Sequence, residues 1–257
     1  MKRGFIMLGL ERRQQIMEKL RLEGKVYVSE LAKIFKVTEE TVRRDLEKLE
    51  GQDLLRRSYG GAVLSEHTNE DLSYAKRSSI NSESKLSIAA KAMSLIGNGD
   101  TVMVDSSTTC YALLQQLKGK KKLTVITNSI RVMSDFLSSD FTLICTGGTV
   151  RTNSCALTGP LACQALSGYY VDFALISCKG LDQKKGLMES NESESEIKEL
   201  MMNQARKTLL LADHSKFNKT AFVKFAGFEH INTLVTDTPP SPDWQQFLSE
   251  KQVQLID

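Results

Sequence analysis

Apolar positions in the first quarter of the chain recur at helical spacing in short blocks, and the breaks between blocks delimit elements. LERRQQIMEKLRLEG sets Ile16 and Leu20 on one side of a charged stretch that stops at Gly24, which predicts a first helix. KVYV alternates like a short strand. In SELAKIF, Leu31, Ala32 and Phe35 fall at helical spacing behind Ser29, an expected N-cap. KVT is a tight connection. Thr38 then caps a third helix, TEETVRRDLEKLEG, with Val42, Leu46 and Leu49 inward and Glu39 and Glu40 at its positive end. Its outer face keeps Glu40, Thr41, Arg43, Arg44 and Lys48. DLLRRSYGGAVL reads as strand, glycine turn, strand.

The pattern then changes. Residues 65–84, SEHTNEDLSYAKRSSINSES, are polar with few groups to bury, which predicts a linker between an N-terminal module, 1–64, and a larger domain, 85–257. From SKLSIAAKAMSLI onward, apolar helices alternate with the β-rich runs TVMVD, LTVIT, FTLICT, VDFALISC, TLLLAD and NTLVTD. That alternation predicts a mostly parallel, Rossmann-like sheet with helices on both faces. The fold class is α/β, with a winged helix-turn-helix ahead of the sheet domain.

Composition narrows the function classes. A chain of 257 residues, 41% hydrophobic and 25% charged, has room for a medium domain and a small module. No apolar run approaches the roughly 20 residues of a membrane span, so no membrane partner is expected. MKRGFIMLGLERRQQ lacks a small-residue cleavage site, which argues against a secretory signal, and Met7 is an alternative start to Met1. The odd set Cys110, Cys145, Cys155, Cys163 and Cys178 holds no C-x-x-C pair, which suits a reducing cytoplasm. His67, His214 and His230 stand away from any cysteine pair, and neither metal nor cofactor is expected.

Residues 1–62 carry 14 Lys and Arg against 10 Asp and Glu, so the basic excess of the chain sits there. A charged protein-interaction domain would give the same count. The order of elements favours DNA: two short helices joined by a brief turn, the second presenting arginines, suit a major groove, and a basic hairpin suits phosphates. The candidate contacts are Thr38, Glu40, Thr41, Arg43, Arg44 and Lys48 on the helix and Arg56, Arg57 and Tyr59 in the wing.

In parallel sheets ligands bind beyond the carboxyl ends of strands. Here those ends carry Asp105, Ser106, Ser107, Thr108 and Thr109, then Thr127-Asn128, Thr146-Gly147-Gly148, Lys179-Gly180, and Asp213 with Lys216. Each alone reads as a cap or a turn. Together they outline a pocket for hydroxyls and phosphate, with VDSSTT at a helix start supplying free N–H groups and a positive dipole.

The run SELAKIFKVTEETVRRDLEKLEGQDLLRRSYGGAVL resembles the N-terminal signature of the DeoR family of bacterial transcriptional regulators, and the likeness extends over nearly all of residues 8–257. It implies a sensor domain similar in fold to type A ribose-5-phosphate isomerase. It also implicates Lys85, Asp105, Ser107, Thr108, Thr109, Thr127, Asn128, Gly147, Gly148, Glu192 and Lys216 in binding a sugar phosphate. The enzyme's Asp-Gly-Ala-Asp-Glu run is absent. SCKGLD stands in its place with one carboxylate, Asp182. In ESNESESEIKEL, Glu192 and Glu196 share a helix face and Glu194 can pair with Lys198, leaving Glu192 for sugar hydroxyls. The resemblance implies a non-enzymatic repressor of a carbohydrate-utilisation operon. It would bind double-stranded operator DNA as a homodimer or homotetramer and be relieved by a sugar phosphate or related effector. The alternative is an isomerase-type enzyme carrying a basic module.

Overall fold

The computed structural model describes residues 9–51, 54–64, 68 and 71–257, which fall into two compact units divided between His67 and Thr68. The first unit runs α1 (Gly9–Glu23), β1 (Lys25–Tyr27), α2 (Val28–Phe35), α3 (Glu39–Glu50), β2 (Leu55–Ser58) and β3 (Gly61–Leu64). Its three strands pair antiparallel in the order β1-β3-β2. Ile16, Leu20, Val26, Leu31, Val42, Leu46, Leu49 and Leu55 form one buried cluster, so the helical positions marked by periodicity are the core. Arg12 reaches across to the buried Asp45 at 2.5 Å and Arg13 at 3.3 Å, tying α1 to α3. A Cβ on Gly61 would lie 2.0 Å from the Val26 carbonyl oxygen, so only glycine lets β3 approach β1. Of two expected caps, one differs and one holds. Ser29 is not the cap of α2: the helix begins at Val28, whose N–H bonds the Gly60 carbonyl at 2.9 Å, and Tyr27 holds the cap position without a side-chain bond. Thr38 does cap α3, its hydroxyl accepting from Thr41 N at 3.2 Å.

The second unit contains α4 (Tyr74–Ser79), α5 (Ser82–Ala92), β4 (Thr101–Val104), α6 (Thr108–Gln116), β5 (Thr124–Thr127), α7 (Ile130–Asp135), β6 (Thr142–Cys145), β7 (Thr149–Arg151) and β8 (Ala156–Thr158). It continues with α8 (Pro160–Ser167), β9 (Val171–Ile176), β10 (Gly180–Asp182), β11 (Gly186–Glu189), α9 (Glu192–Asn203) and β12 (Ala205–Leu211). The chain closes with β13 (Val223–Ala226), β14 (Thr233–Val235), α10 (Pro242–Glu250) and β15 (Gln254–Ile256). Seven strands form a parallel sheet in the order β15-β14-β12-β9-β4-β5-β6. The order reverses between β4 and β9, and that switch point is where such sheets open a crevice.

Alternation along the strands feeds a core on each face. Phe173 and Leu175 join Val102, Val104, Leu113 and Leu114 on one side, while Ala174 and Ile176 join Met103, Ile197 and Met201 on the other. All six β-rich runs of the sequence are strands of this sheet. The hairpin β7-β8 and the small antiparallel sheet β10-β11-β13 escaped the reading, because segments such as TVR, GLD and VKFA mix charged residues into short strands and leave no apolar run.

Of the expected linker 65–84, residues 65–67, 69 and 70 lie outside the described residues. Residues 71–84 belong to the second unit, where Tyr74 N bonds the Asn153 carbonyl at 2.7 Å and Asn81 Nδ2 bonds Asp213 at 3.1 Å. Polar composition is compatible with a loop, but here polar side chains are satisfied by other polar groups of the domain. No helix among the described residues is long and apolar enough to cross a membrane.

Candidate functional site

In the first unit α3 presents an exposed charged face. Arg43 pairs with Glu39 at 2.7 Å and Arg44 with Glu40 at 3.3 Å, one turn back along the helix. Thr38 and Thr41 share a hydroxyl contact of 2.9 Å, and Lys48 is exposed. These six expected contacts thus lie on one element. The wing follows, with Arg56, Arg57 and Tyr59 exposed and Tyr59 at the turn. Arg57 is not a free cation. Its guanidinium bonds Glu50 at 2.5 Å, and its backbone N–H bonds the same carboxylate at 2.9 Å.

In the second unit the carboxyl ends of the strands carry the polar residues. Asp105 follows β4, Thr127 ends β5, Thr146 follows β6, Ser177 follows β9 and Asp213 follows β12. At the switch point Asp105 is buried and fully engaged. One oxygen accepts Ser107 N at 2.9 Å; the other accepts Ser177 N at 3.0 Å and the Lys198 ammonium at 2.5 Å. Burial opposes its charge, yet Lys198 and these hydrogen bonds hold its carboxyl below the ordinary range. Lys198, itself buried, lies 3.3 Å from Glu189 and donates to the Ser177 carbonyl at 2.8 Å. The cation is shared by two carboxylates from different elements, Asp105 after β4 and Glu189 at the end of β11. Opposing the burial that would lower it, they drive the Lys198 pKa well above that of an ordinary lysine.

Beside this network, Ser107 caps α6, its hydroxyl accepting Cys110 N at 3.1 Å. Ser106, Thr108 and Thr109 are buried around that first turn, whose leading N–H groups have no partner within a helix. Thr127 spends its hydroxyl on the Val104 carbonyl at 2.8 Å, and Asn128 donates to the Leu157 carbonyl at 3.0 Å. The side-chain amide oxygen of Asn128, Oδ1, is buried with no partner, an acceptor that nothing in the described residues satisfies. Gly147 adopts φ +66° with open space around it. At Gly148, φ +112°, a Cβ would meet the Thr158 carbonyl at 2.6 Å, so that glycine serves the packing of β7 on β8. Lys179 is half-buried beyond β9.

Two lysines supply positive charge. Lys85, buried on α5, donates to the carbonyls of Arg77 and Ile80, the latter at 2.5 Å. Burial first, and the neighbouring charge of Lys216 second, push its pKa down to about 8. Lys216 is half-buried, and its charge also acts on Asp213, which is held by Asn81 and by Ser215 N at 3.0 Å. A buried acceptor, a helix start and two cations at one sheet edge suit an anion that also carries hydroxyls.

Residues 12–68 match the DeoR-like helix-turn-helix domain and residues 80–238 match the DeoR C terminal sensor domain. The chain belongs to the DeoR family. Its likeness to the "Uncharacterized HTH-type transcriptional regulator YulB" of Bacillus subtilis is 36% identity, covering 97% of this chain and 96% of that one. The glycerol-3-phosphate regulon repressor of Escherichia coli is 30% identical over 95% of this chain and 97% of its own. The HTH-type transcriptional repressor GlcR of Bacillus subtilis is 34% identical over 96% and 95%. Among solved structures, ribose 5-phosphate isomerase A from Methanocaldococcus jannaschii is 16% identical with TM-score 0.40, covering 53% of this chain and 55% of that one.

Within this DeoR-family chain the structure reassigns several expected residues. Glu192 opens α9 on its exposed side, and the buried carboxylates near the crevice are Glu189 and Glu194. Glu194 pairs with Arg151 at 3.1 Å, which leaves Lys198 to Asp105 and Glu189. The helical spacing of Glu194 and Lys198 suggested a pair, but both are buried and each finds a partner from another element. Lys198, Glu189 and Arg151 were missed. The available signal was a lysine at a buried helical position, the inner face shared with Ile197 and Met201.

Proposed function

We propose that this DeoR-family chain is a cytoplasmic, sequence-specific repressor of genes for carbohydrate use, binding double-stranded operator DNA as a homodimer or homotetramer and released by a sugar phosphate or related metabolite. The observation that carries sensing over catalysis is the state of the carboxylates. Asp105 and Glu189 share the Lys198 ammonium, Glu194 is paired with Arg151, and Asp213 is held by Asn81 and Ser215 beside the Lys216 charge, so none of these four buried acids is poised to take a proton from a substrate carbon. What remains at the crevice is binding chemistry: the α6 start, the Asn128 acceptor, Lys85 and Lys216. Relatives named a glycerol-3-phosphate regulon repressor and a transcriptional repressor support the choice of a phosphate ligand and of repression. One relative of 31% identity is named an L-fucose operon activator, which keeps activation as the second reading.

The test is a gel-shift titration of the full-length protein on DNA flanking its own gene, with triose, pentose and hexose phosphates added in turn. We expect one sugar phosphate to release the DNA while remaining chemically unchanged in a product assay. Consumption of that compound by wild-type protein would instead make the crevice an active site.

A further inference from the structure

The wing carries two adjacent arginines that look interchangeable in sequence and are opposite in surroundings. Arg56 and Arg57 occupy successive positions of β2, facing Val63 and Ala62 of β3, so their side chains leave the sheet on opposite faces. Among the described residues Arg56 takes no carboxylate partner. Arg57 is clasped twice by one residue of α3. Glu50 accepts its backbone N–H at 2.9 Å on one oxygen and its Nε at 2.5 Å on the other, and Glu47 lies 3.9 Å from the same guanidinium. Glu50 is the last residue of α3, and β2 begins at Leu55. The clasp therefore joins the end of one DNA-facing element to the start of the other. Between them runs a groove of about 440 Å³ lined by Arg43, Leu46, Glu50, Arg57, Tyr59 and Gly61.

We infer that Glu50 and Arg57 form a strut setting the wing against α3, which makes Arg57 a positioning residue and leaves Arg56 as the wing's phosphate contact. The inference rests on the DNA-binding reading above. An acidic side chain in a groove facing a polyanion repels it unless neutralised, and Glu50 is neutralised by Arg57. The hydrogen bond from the Arg57 backbone, and then the guanidinium, hold the Glu50 carboxyl below its ordinary range, so it stays ionised at working pH. The paired charges cancel toward a distant phosphate, so neither contributes to counterion release. Both side chains are about a third exposed or more, at 44% and 34%, so the pair adds little to folding stability. Its effect is on the angle at which α3 and the wing meet a duplex.

The test uses full-length protein, a random-sequence duplex, and a duplex selected from a random library by the wild type, each titrated over a salt series. Arg56→Ala should lower the slope of log affinity against log salt by about one unit on both duplexes. The double variant of Glu50→Gln with Arg57→Ala removes the strut at constant net charge, and it should leave the slope on random duplex unchanged and reduce the preference for the selected duplex about tenfold, the effect of one misplaced base contact. Each single variant should lose the same preference: Arg57→Ala leaves Glu50 unneutralised and binds both duplexes more weakly, whereas Glu50→Gln frees the Arg57 cation and binds random duplex more tightly, and all should unfold at the wild-type temperature. A purely electrostatic role predicts that Glu50→Gln tightens binding to both duplexes with the preference unchanged. That result, or a unit drop in slope for the double variant, would overturn the strut. Wild-type protein with no affinity for either duplex would overturn the DNA-binding reading itself.

Discussion

Lys85 couples two properties with opposite dependence on pH. Its folded pKa of about 8 lies below the ordinary lysine value of 10.5, because burial and the charge of Lys216 disfavour the ammonium. Between those two values the unfolded chain holds a proton that the folded one has lost, so this residue's contribution to stability rises with pH across that window. An anionic effector held by the ammonium, as proposed, should bind more weakly as pH climbs through about 8, whereas its phosphate is already fully ionised there, its second pKa being about 6. Thermal-shift titration of a releasing sugar phosphate at pH 7 and pH 9 should show that loss, and Lys85→Met should bind weakly and equally at both. The same affinity at both values in the wild type would remove Lys85 from the pocket. At the switch point the expectation is structural. Lys198→Met leaves Asp105 and Glu189 buried without their cation and should cost about 3 to 5 kcal/mol, the usual penalty for breaking a buried pair, read as a lowered denaturant midpoint.

Elements show where sequence reading succeeds and where it stops. The helices of the first unit were legible because each buries one face of a short amphipathic block, and Val42, Leu46 and Leu49 are buried as their spacing requires. The sheet strands were legible because runs such as VDFALISC are apolar on both faces. The crevice was legible only as a set of strand ends. Asp105 and Lys198 are 93 positions apart, and nothing local to either announces the other. Pairing Glu194 with Lys198 leaves Glu192 for the pocket in sequence, yet which carboxylate of α9 turns inward depends on the packing of that helix, fixed by Ile197 and Met201, and Glu189 arrives from β11. The segment before α5 was misread for a related reason: its polar residues are bound by partners far along the chain, with Asp71 on Arg151 and on Ser190 Oγ at 3.4 Å. Asp71→Ala should therefore loosen α4 locally. Hydrogen exchange of the amides in 74–80 should accelerate at least about tenfold while the amides of β4 and β9 keep their protection. Equal exchange in variant and wild type would mean that Asp71 does not anchor the segment.

At the scale of the molecule, the two units have separate cores and carry separate tasks, which makes assembly the deciding variable for DNA recognition. A single helix-turn-helix module typically buries only about 600 to 1,000 Å² on DNA, too little for strong discrimination against the excess of non-specific sites. The first unit offers one short reading helix and one wing, so selectivity calls for two copies related by symmetry on two half-sites about one helical turn, or a multiple of it, apart. Residues 1–64 include no part of the larger unit, so that fragment should fold on the Ile16, Leu46 and Leu55 cluster yet bind as a lone module. On a duplex selected by the full-length protein, the fragment should bind at least about a hundredfold more weakly and with a shallower salt slope, because it neutralises fewer phosphates per binding event. Light scattering on the full-length protein at micromolar concentration should give the mass of a dimer or tetramer. A monomer by scattering whose operator affinity matches that of the isolated fragment would place all recognition in one module and remove the need for symmetry.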